Sequence, residues 1–377
     1  MENLHPYDAT NSKNPWLITH NRNELIEKDN EKLTAEYIWN KKGKERESLV
    51  DWVFNYYRKN GFPKIEMTNE ALFENFDKIK KVDASKIESN NEISNSSSTG
   101  INIIKHFNNE LFYKAKKDYS RSVYEVFNND ELFLKVLKNR MGYKTSKEDG
   151  TERPYVFGIN DKMIIQGCIS SGIASTVSQF KPVVAKYIYQ KYTKKNDKIL
   201  DYSAGWGARL LGALSLDLEY YGIDPLTSNN LNEMLLFFKG KGKIIKGMSE
   251  EINTYEDIPK VDFIFSSPPY FNMEIYNDDD TQSYNKFKDF NDWLNNYWNK
   301  TVINCLNKLN EKKYFSLCIV EKYFKYNLKD EMLKICYNNG LKLIETLPLK
   351  TSKSHLSSKR TSKEYMKKND VIYILQK

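Results

Sequence analysis

Paired cysteines are missing from this chain: Cys168, Cys305, Cys318 and Cys336 stand far apart, with no C-x-x-C among them. The four histidines, His5, His20, His106 and His355, are equally scattered. Structural zinc needs ligands at short fixed intervals, so none is expected, and the cysteines read as buried thiols of a reducing compartment. Long apolar runs are also lacking. No stretch of about 18 apolar residues occurs, and the N-terminus has no apolar signal core. The expectation is a soluble, intracellular protein of the cytoplasm with no membrane partner. What is present is enough for a core: 377 residues, 40% of them hydrophobic, suffice for two domains and exclude a disordered chain.

Charge is unevenly placed within a net balance of +8. Residues 1–150 hold 25 basic against 24 acidic side chains, and residues 151–377 hold 33 against 26. Between Pro348 and Lys377 the count is eight against two. A basic cluster this local is a footprint for an anionic partner such as nucleic acid, with a solvated lysine-rich loop as the alternative.

Two segments carry chemistry. Val261 to Ser266 is an apolar β-type run, and Ser267-Pro268-Pro269-Tyr270 ends it. Neither proline can donate to a sheet ladder, so the chain must leave the sheet at Ser267 in a stiff extended turn. Upstream, Lys198 to Asp201 reads as a short strand, Tyr202 to Gly207 as a glycine turn, and Ala208 to Leu214 as a helix. Gly205 and Gly207 permit backbone conformations closed to other residues and a close approach by a ligand. A dinucleotide fingerprint would need glycine at position 210, where Leu210 stands. A second strand, Leu218 to Ile223, ends in Asp224, an acid placed to accept hydrogen bonds from ribose hydroxyls.

In this order the motifs resemble those of the S-adenosylmethionine-dependent amino-methyltransferases of the N4-cytosine and N6-adenine type, including phage and bacterial DNA methylases of restriction-modification. The matching residues run from Asp201 to Gly207, with Asp224 and Ser267 to Tyr270. The resemblance implies that Asp201, Ala204, Gly205 and Gly207 hold the methionine part of the cofactor and that Asp224 holds its ribose. It implies that Ser267, Pro268, Pro269 and Tyr270 are catalytic: the serine hydroxyl and the Pro268 carbonyl accept from an exocyclic NH2, and Tyr270 stacks on the base. Phe180, in Ser178 to Ala185, matches the segment that packs an aromatic near the cofactor, or else leads into a helix over 182–192. Ser249 and Glu250 occupy the place of adenine contacts. Phe271 either stacks on the target or packs under the loop, and Lys353, Lys359, Arg360 and Lys363 are candidates for phosphate. Serine before the two prolines leans toward cytosine over adenine. An RNA substrate, or a non-catalytic nucleic-acid-binding protein of the same fold, are the alternatives; amide methylases generally carry Asn where Ser267 stands.

The implied fold is α/β: a Rossmann-like, mostly parallel seven-stranded methyltransferase sheet closed by an antiparallel hairpin, occupying residues 161–377. Strands are expected at 198–201, 219–223, 243–246, 261–266, 314–320, 341–348 and 370–376. Residues 1–160 read as mainly helical, with Val50, Val53, Phe54 and Tyr57 on one face and Leu72, Phe73, Phe76 and Ile79 on another. A polar linker is expected near 85–100. Only 66 residues separate Asp201 from Ser267, too few for a large target-recognition insert. Any sequence reader therefore lies in residues 1–160 or in loop 349–369.

Overall fold

The computed structural model describes residues 24–117, 120–146, 153–271, 274–277, 279–321, 326–350 and 370–377. The chain forms two compact units, one from Met1–Leu72, Asn108–Ser178 and Glu274–Asn277, the other from Phe73–Phe107, Gln179–Met273 and Asp278–Lys377. The division is therefore not a single cut near residue 160. Residues 73–107 join the second unit, and 161–178 join the first.

The first unit is built mainly on helices. Gly43–Asn60 buries Leu49, Val50, Val53 and Tyr57 on one stripe, and Gly61, at φ 82°, stops it by donating its N–H to the Tyr57 carbonyl at 2.9 Å. The Tyr57 hydroxyl donates to Asp161 at 3.1 Å, joining this helix to Asp161–Ser170.

The second unit is organised by a nine-stranded sheet. Its strands are β1 (Glu88–Ser89), β2 (Glu92–Ser94), β3 (Lys198–Asp201), β4 (Glu219–Ile223), β5 (Lys241–Ile245), β6 (Val261–Ser266), β7 (Leu309–Val320), β8 (Lys342–Lys350) and β9 (Asp370–Gln376), in spatial order β5-β4-β3-β6-β7-β9-β8-β2-β1. Strands β3 to β7 are mutually parallel, and β9 runs antiparallel between β7 and β8. This is the expected doubly wound α/β sheet with its antiparallel hairpin. Strand β7 begins five residues earlier than the sequence suggests, at Leu309.

The segment 85–100 departs from its reading as a linker. Its 3-10 turn Ala84–Ile87 and strands β1 and β2 extend the sheet edge, with Ile93 opposite Leu349 and Ser94 opposite Lys350. Ile93 is fully buried. Two isoleucines, Ile87 and Ile93, among serines and asparagines give no periodicity, so the pairing is dictated by the neighbouring strand and not by the segment itself.

Helices cover the sheet. Residues Phe73 to Lys81 belong to α1 (Asn69–Lys81), where Phe73 stacks on Phe237 at 4.9 Å and Phe76 lies 4.3 Å from Phe238. Helix α2 (Pro182–Tyr192) buries eight successive residues, including Lys186. The Lys186 ammonium donates to the carbonyls of Ile79, Lys80 and Val82 at 2.9, 2.7 and 2.8 Å, closing the C-terminal end of α1. Between β6 and β7 runs Phe290–Trp293, a π-helical turn Leu294–Asn299 and the helix Lys300–Lys308. The wider turn lets Trp293, Leu294, Tyr297 and Trp298 all enter the core.

Replacing Lys186 by methionine keeps the stem and removes three bonds to main-chain carbonyls, one of them buried and two part-buried. The expected loss is about 2–4 kcal/mol, since orphaned buried acceptors cost more than the net worth of the bonds. A urea midpoint that does not fall, at unchanged slope, would show that water serves those carbonyls equally well.

Candidate functional site

In an open α/β sheet, ligands bind beyond the carboxyl ends of the strands where the strand order reverses. That point lies between β3 and β6, the strands that end in Asp201 and Ser266.

The glycine turn follows β3 and is held from several sides. Gly205 lies at φ 56°; its N–H donates to Asp224 at 2.9 Å, and its carbonyl accepts from the Thr227 hydroxyl at 2.5 Å. The Ala204 N–H donates to the Ile223 carbonyl at 2.9 Å. The two glycines are required for different reasons. A Cβ on Gly207, at φ 90°, would come within 2.6 Å of Leu231, so this glycine seats the turn against helix α3 (Ser228–Phe237). A Cβ on Gly205 would meet only the Ser203 carbonyl at 3.8 Å. Main chain at Gly205 thus borders open space, as a ligand's close approach demands.

The two acids at the strand ends are not equivalent. Asp201 is fully buried, and its carboxylate accepts from Arg209 Nε at 2.7 Å and Nη2 at 3.2 Å, from the Tyr220 hydroxyl at 2.6 Å, from the Ser266 hydroxyl at 2.6 Å and from the Ser203 N–H at 3.3 Å. Those bonds fill the acceptor capacity of a carboxylate, so Asp201 shapes the turn from beneath and does not face a ligand. Asp224 takes the N–H groups of Leu226 and Thr227 on Oδ1, at 2.9 and 2.8 Å, and that of Gly205 on Oδ2. Of about four acceptor positions on a carboxylate, one on Oδ2 is then left for a hydroxyl donor. Burial pushes its carboxyl above the ordinary value, against the opposing pull of the Thr227, Leu226 and Gly205 N–H groups and of the Thr227 side chain.

Two side chains of the loop after β6 share one acceptor. The Ser267 hydroxyl donates to the Cys318 carbonyl at 3.0 Å, and the Tyr270 hydroxyl donates to the same oxygen at 3.2 Å. With its hydrogen committed there, the Ser267 oxygen presents lone pairs elsewhere and acts as an acceptor. Phe271 follows at φ 41°, a conformation costly for a bulky side chain. Its ring meets Phe290 and Tyr326 edge-on at 6.3 and 6.2 Å. The side chain therefore packs under the loop, which its reading as a base-stacking residue did not require.

The other named residues surround this frame. Phe180 is half-buried, with its ring edge-on to Phe265 at 5.6 Å and the Arg209 guanidinium 5.5 Å from its centroid. Ser249 is buried and its hydroxyl lies 3.1 Å from that of Thr301. The Glu250 carboxylate is nearly buried and paired with Lys286 at 2.6 Å. Lys353, Lys359, Arg360 and Lys363 lie outside the described residues. The described residues that flank them, Lys350 and Asp370, lie at the same end of the sheet as Ser266: Asp370 is opposite Val320, and β8 is parallel to β6.

Arg209, Tyr220, Thr227, Ser266, Lys286 and Tyr297 were not singled out from the sequence. Arg209 had a visible signal, a lone cation in an otherwise apolar helix Ala208–Leu214. Tyr297 is a core residue, yet its hydroxyl lies 3.3 Å from that of Ser203. Among the described residues no His, Cys, Asp and Glu cluster could hold a metal, all four cysteines are buried and unpaired, and no helix is long and apolar enough to cross a membrane.

No protein-family model and no curated protein matches the chain. Solved structures that it resembles include TrmN from Thermus thermophilus, at 11% identity and TM-score 0.38, over 58% of this chain and 66% of that one. A putative rRNA-methylase from Clostridium thermocellum, at 11% identity, covers 53% and 99% with TM-score 0.34. Fibrillarin from Aeropyrum pernix, in complex with natively bound S-adenosyl-L-methionine, is 13% identical over 52% and 74%, with TM-score 0.33. Scores this low transfer no substrate and no residue role.

Because the folded Asp224 binds its proton more readily than an unfolded aspartate, ionising it costs stability, and this group's contribution falls as pH rises between the unfolded and folded values. The Gly205 amide resonance should therefore titrate with a midpoint above 3.8. A midpoint at or below that value in heteronuclear NMR would mean that the three N–H groups outweigh burial.

Proposed function

We propose that this protein transfers a methyl group from S-adenosylmethionine to the exocyclic amine of a DNA base. One observation carries the reading: in the loop after β6, the strand next to the one that leads into the glycine turn, Ser267 and Tyr270 give their hydroxyl hydrogens to a single carbonyl, Cys318 O. The residues present fit the cofactor. Main chain at Gly205 borders open space, and Asp224 keeps one acceptor position for a ribose hydroxyl. When bound, the cofactor supplies an electrophilic methyl carried on a sulfonium.

The chain's own groups do the rest. An exocyclic amine has its lone pair delocalised into the ring, so it attacks well only when its hydrogens are held out of the ring plane. In this reading the Ser267 oxygen and the Pro268 carbonyl accept those hydrogens, and the amine sheds one of them to water as its nitrogen takes the methyl. The Tyr270 ring, fixed through its hydroxyl, stacks on a base drawn out of the duplex and offsets part of the few kcal/mol of unstacking. Asp201 and Arg209 hold the turn that carries the donor. Lysines of loop 349–369 meet the phosphates. By the family resemblance, serine at 267 leans toward N4-cytosine over N6-adenine as the product.

Ser267→Ala should slow single-turnover transfer by roughly 10- to 100-fold, a loss of about 1.4–2.8 kcal/mol in the transition state, with cofactor affinity unchanged. A tritiated-methyl assay on DNA, RNA and protein, followed by nucleoside mass spectrometry, reads both rate and product. Label in RNA alone would replace the substrate, and 5-methylcytosine would refute transfer to an amine. Asp224→Ala should weaken S-adenosylmethionine by about 1–3 kcal/mol in calorimetric titration; undiminished affinity would remove the cofactor from this turn.

A further inference from the structure

The glycine turn and the Ser267 loop lie on different strands, and chemistry between groups held on the two requires a fixed spacing. Backbone pairing does not supply it. The ladder between β3 and β6 joins Phe263 to Ile199 and Ile264 to Leu200 and ends there, short of either loop. Past that point a side chain, Ser266, connects the two. Ser266, fully buried, donates its hydroxyl to Asp201 at 2.6 Å and accepts from the Ser203 N–H at 3.0 Å. Its next residue is Ser267. Its partners begin the glycine turn.

The far side of this joint is firm. Arg209 and Tyr220 hold the Asp201 carboxylate, and the Arg209 guanidinium also donates to the Ser203 carbonyl. Ser203 is thus gripped at its N–H by Ser266 and at its carbonyl by Arg209, with its hydroxyl beside Tyr297. A serine is the smallest side chain able to donate to Asp201 and accept from an N–H at once; alanine and valine could do neither.

We infer that Ser266 is a positioning residue that sets the spacing between the glycine turn 202–207 and the loop 267–271, through its paired bonds to Asp201 and Ser203. The kinetic part of this inference rests on the proposed methyl transfer; the mechanical part does not. Ser316 provides a matched control, since it is equally buried in the adjacent strand β7 and its hydroxyl has no partner among the described residues.

The test uses the full chain in three forms: wild type, Ser266→Ala and Ser316→Ala. Hydrogen exchange without ligand should rise roughly tenfold in peptides spanning 202–207 and 267–271 of Ser266→Ala, the effect of one lost bond on local opening, and stay unchanged in β7 and β9. Ser316→Ala should change neither loop. In single-turnover assays Ser266→Ala should lose roughly tenfold in rate while its affinity for S-adenosylmethionine stays within about threefold, and Ser266→Thr, which keeps the hydroxyl, should recover exchange protection. Exchange that rises in one loop only, or evenly across the sheet, overturns the inference, as does a wild-type transfer rate in Ser266→Ala. A wild-type protein that methylates no substrate would refute the proposed function instead, and the exchange result alone would then decide the joint.

Discussion

A carboxylate with no access to water must have its charge met by the protein, and at Asp201 that requirement organises everything around it. Arg209 supplies the opposite charge from helix Ala208–Leu214, Tyr220 a hydroxyl from β4, and Ser266 a hydroxyl from β6. Removing one partner of such a pair leaves a bare buried charge, at about 3–5 kcal/mol, whereas the intact set roughly breaks even with apolar packing. The network is therefore a device for geometry more than for stability. It fixes where two strands end and how the turn between them is shaped, and Phe180 packs over its guanidinium.

The division of labour between the two acids follows from burial. Asp201 and Asp224 each end a parallel strand, and from sequence alone both qualify as ligand contacts. Five donors on one and three on the other separate them. The same bonds that shape the turn also limit what Asp224 can offer, to a single position on one oxygen. A shared carbonyl at Cys318 does for the Ser267 loop what Asp201 does for the turn, with no charge involved.

Much of the fold was legible because strong local signals agree with it. The strands 198–201, 219–223, 261–266 and 370–376 are apolar runs bounded by turn residues, and each lies where the pattern places it. Helix Pro182–Tyr192 begins at a proline that suits a first helical turn. Other features depend on partners far away in sequence. Glu92–Ser94 becomes strand because Leu349 and Lys350 present an edge to it, and Glu88–Ser89 pairs onto it in turn. The π-helical turn was invisible because its aromatics satisfy ordinary helical spacing as well. Within the site, the glycine turn and Ser267 to Tyr270 stood out by composition. Ser266 did not, since a serine next to a conspicuous serine carries no signal until its hydroxyl is seen on Asp201.

The partners of Asp201 come from very different distances along the chain. Arg209 is eight residues away and Tyr220 nineteen, while Ser266 is sixty-five. Contacts of short separation close small loops and cost little chain entropy, so they can form first. The first strand, helix and second strand can thus collapse together with the carboxylate already neutralised, and no naked charge has to wait in a half-built core. Ser266 joins only when β6 docks beside β3. A chain arrested before that step would hold a nearly finished glycine turn and no acceptor loop beside it, so on the proposed reading a folding intermediate could capture the methyl donor yet have nothing positioned to spend it on.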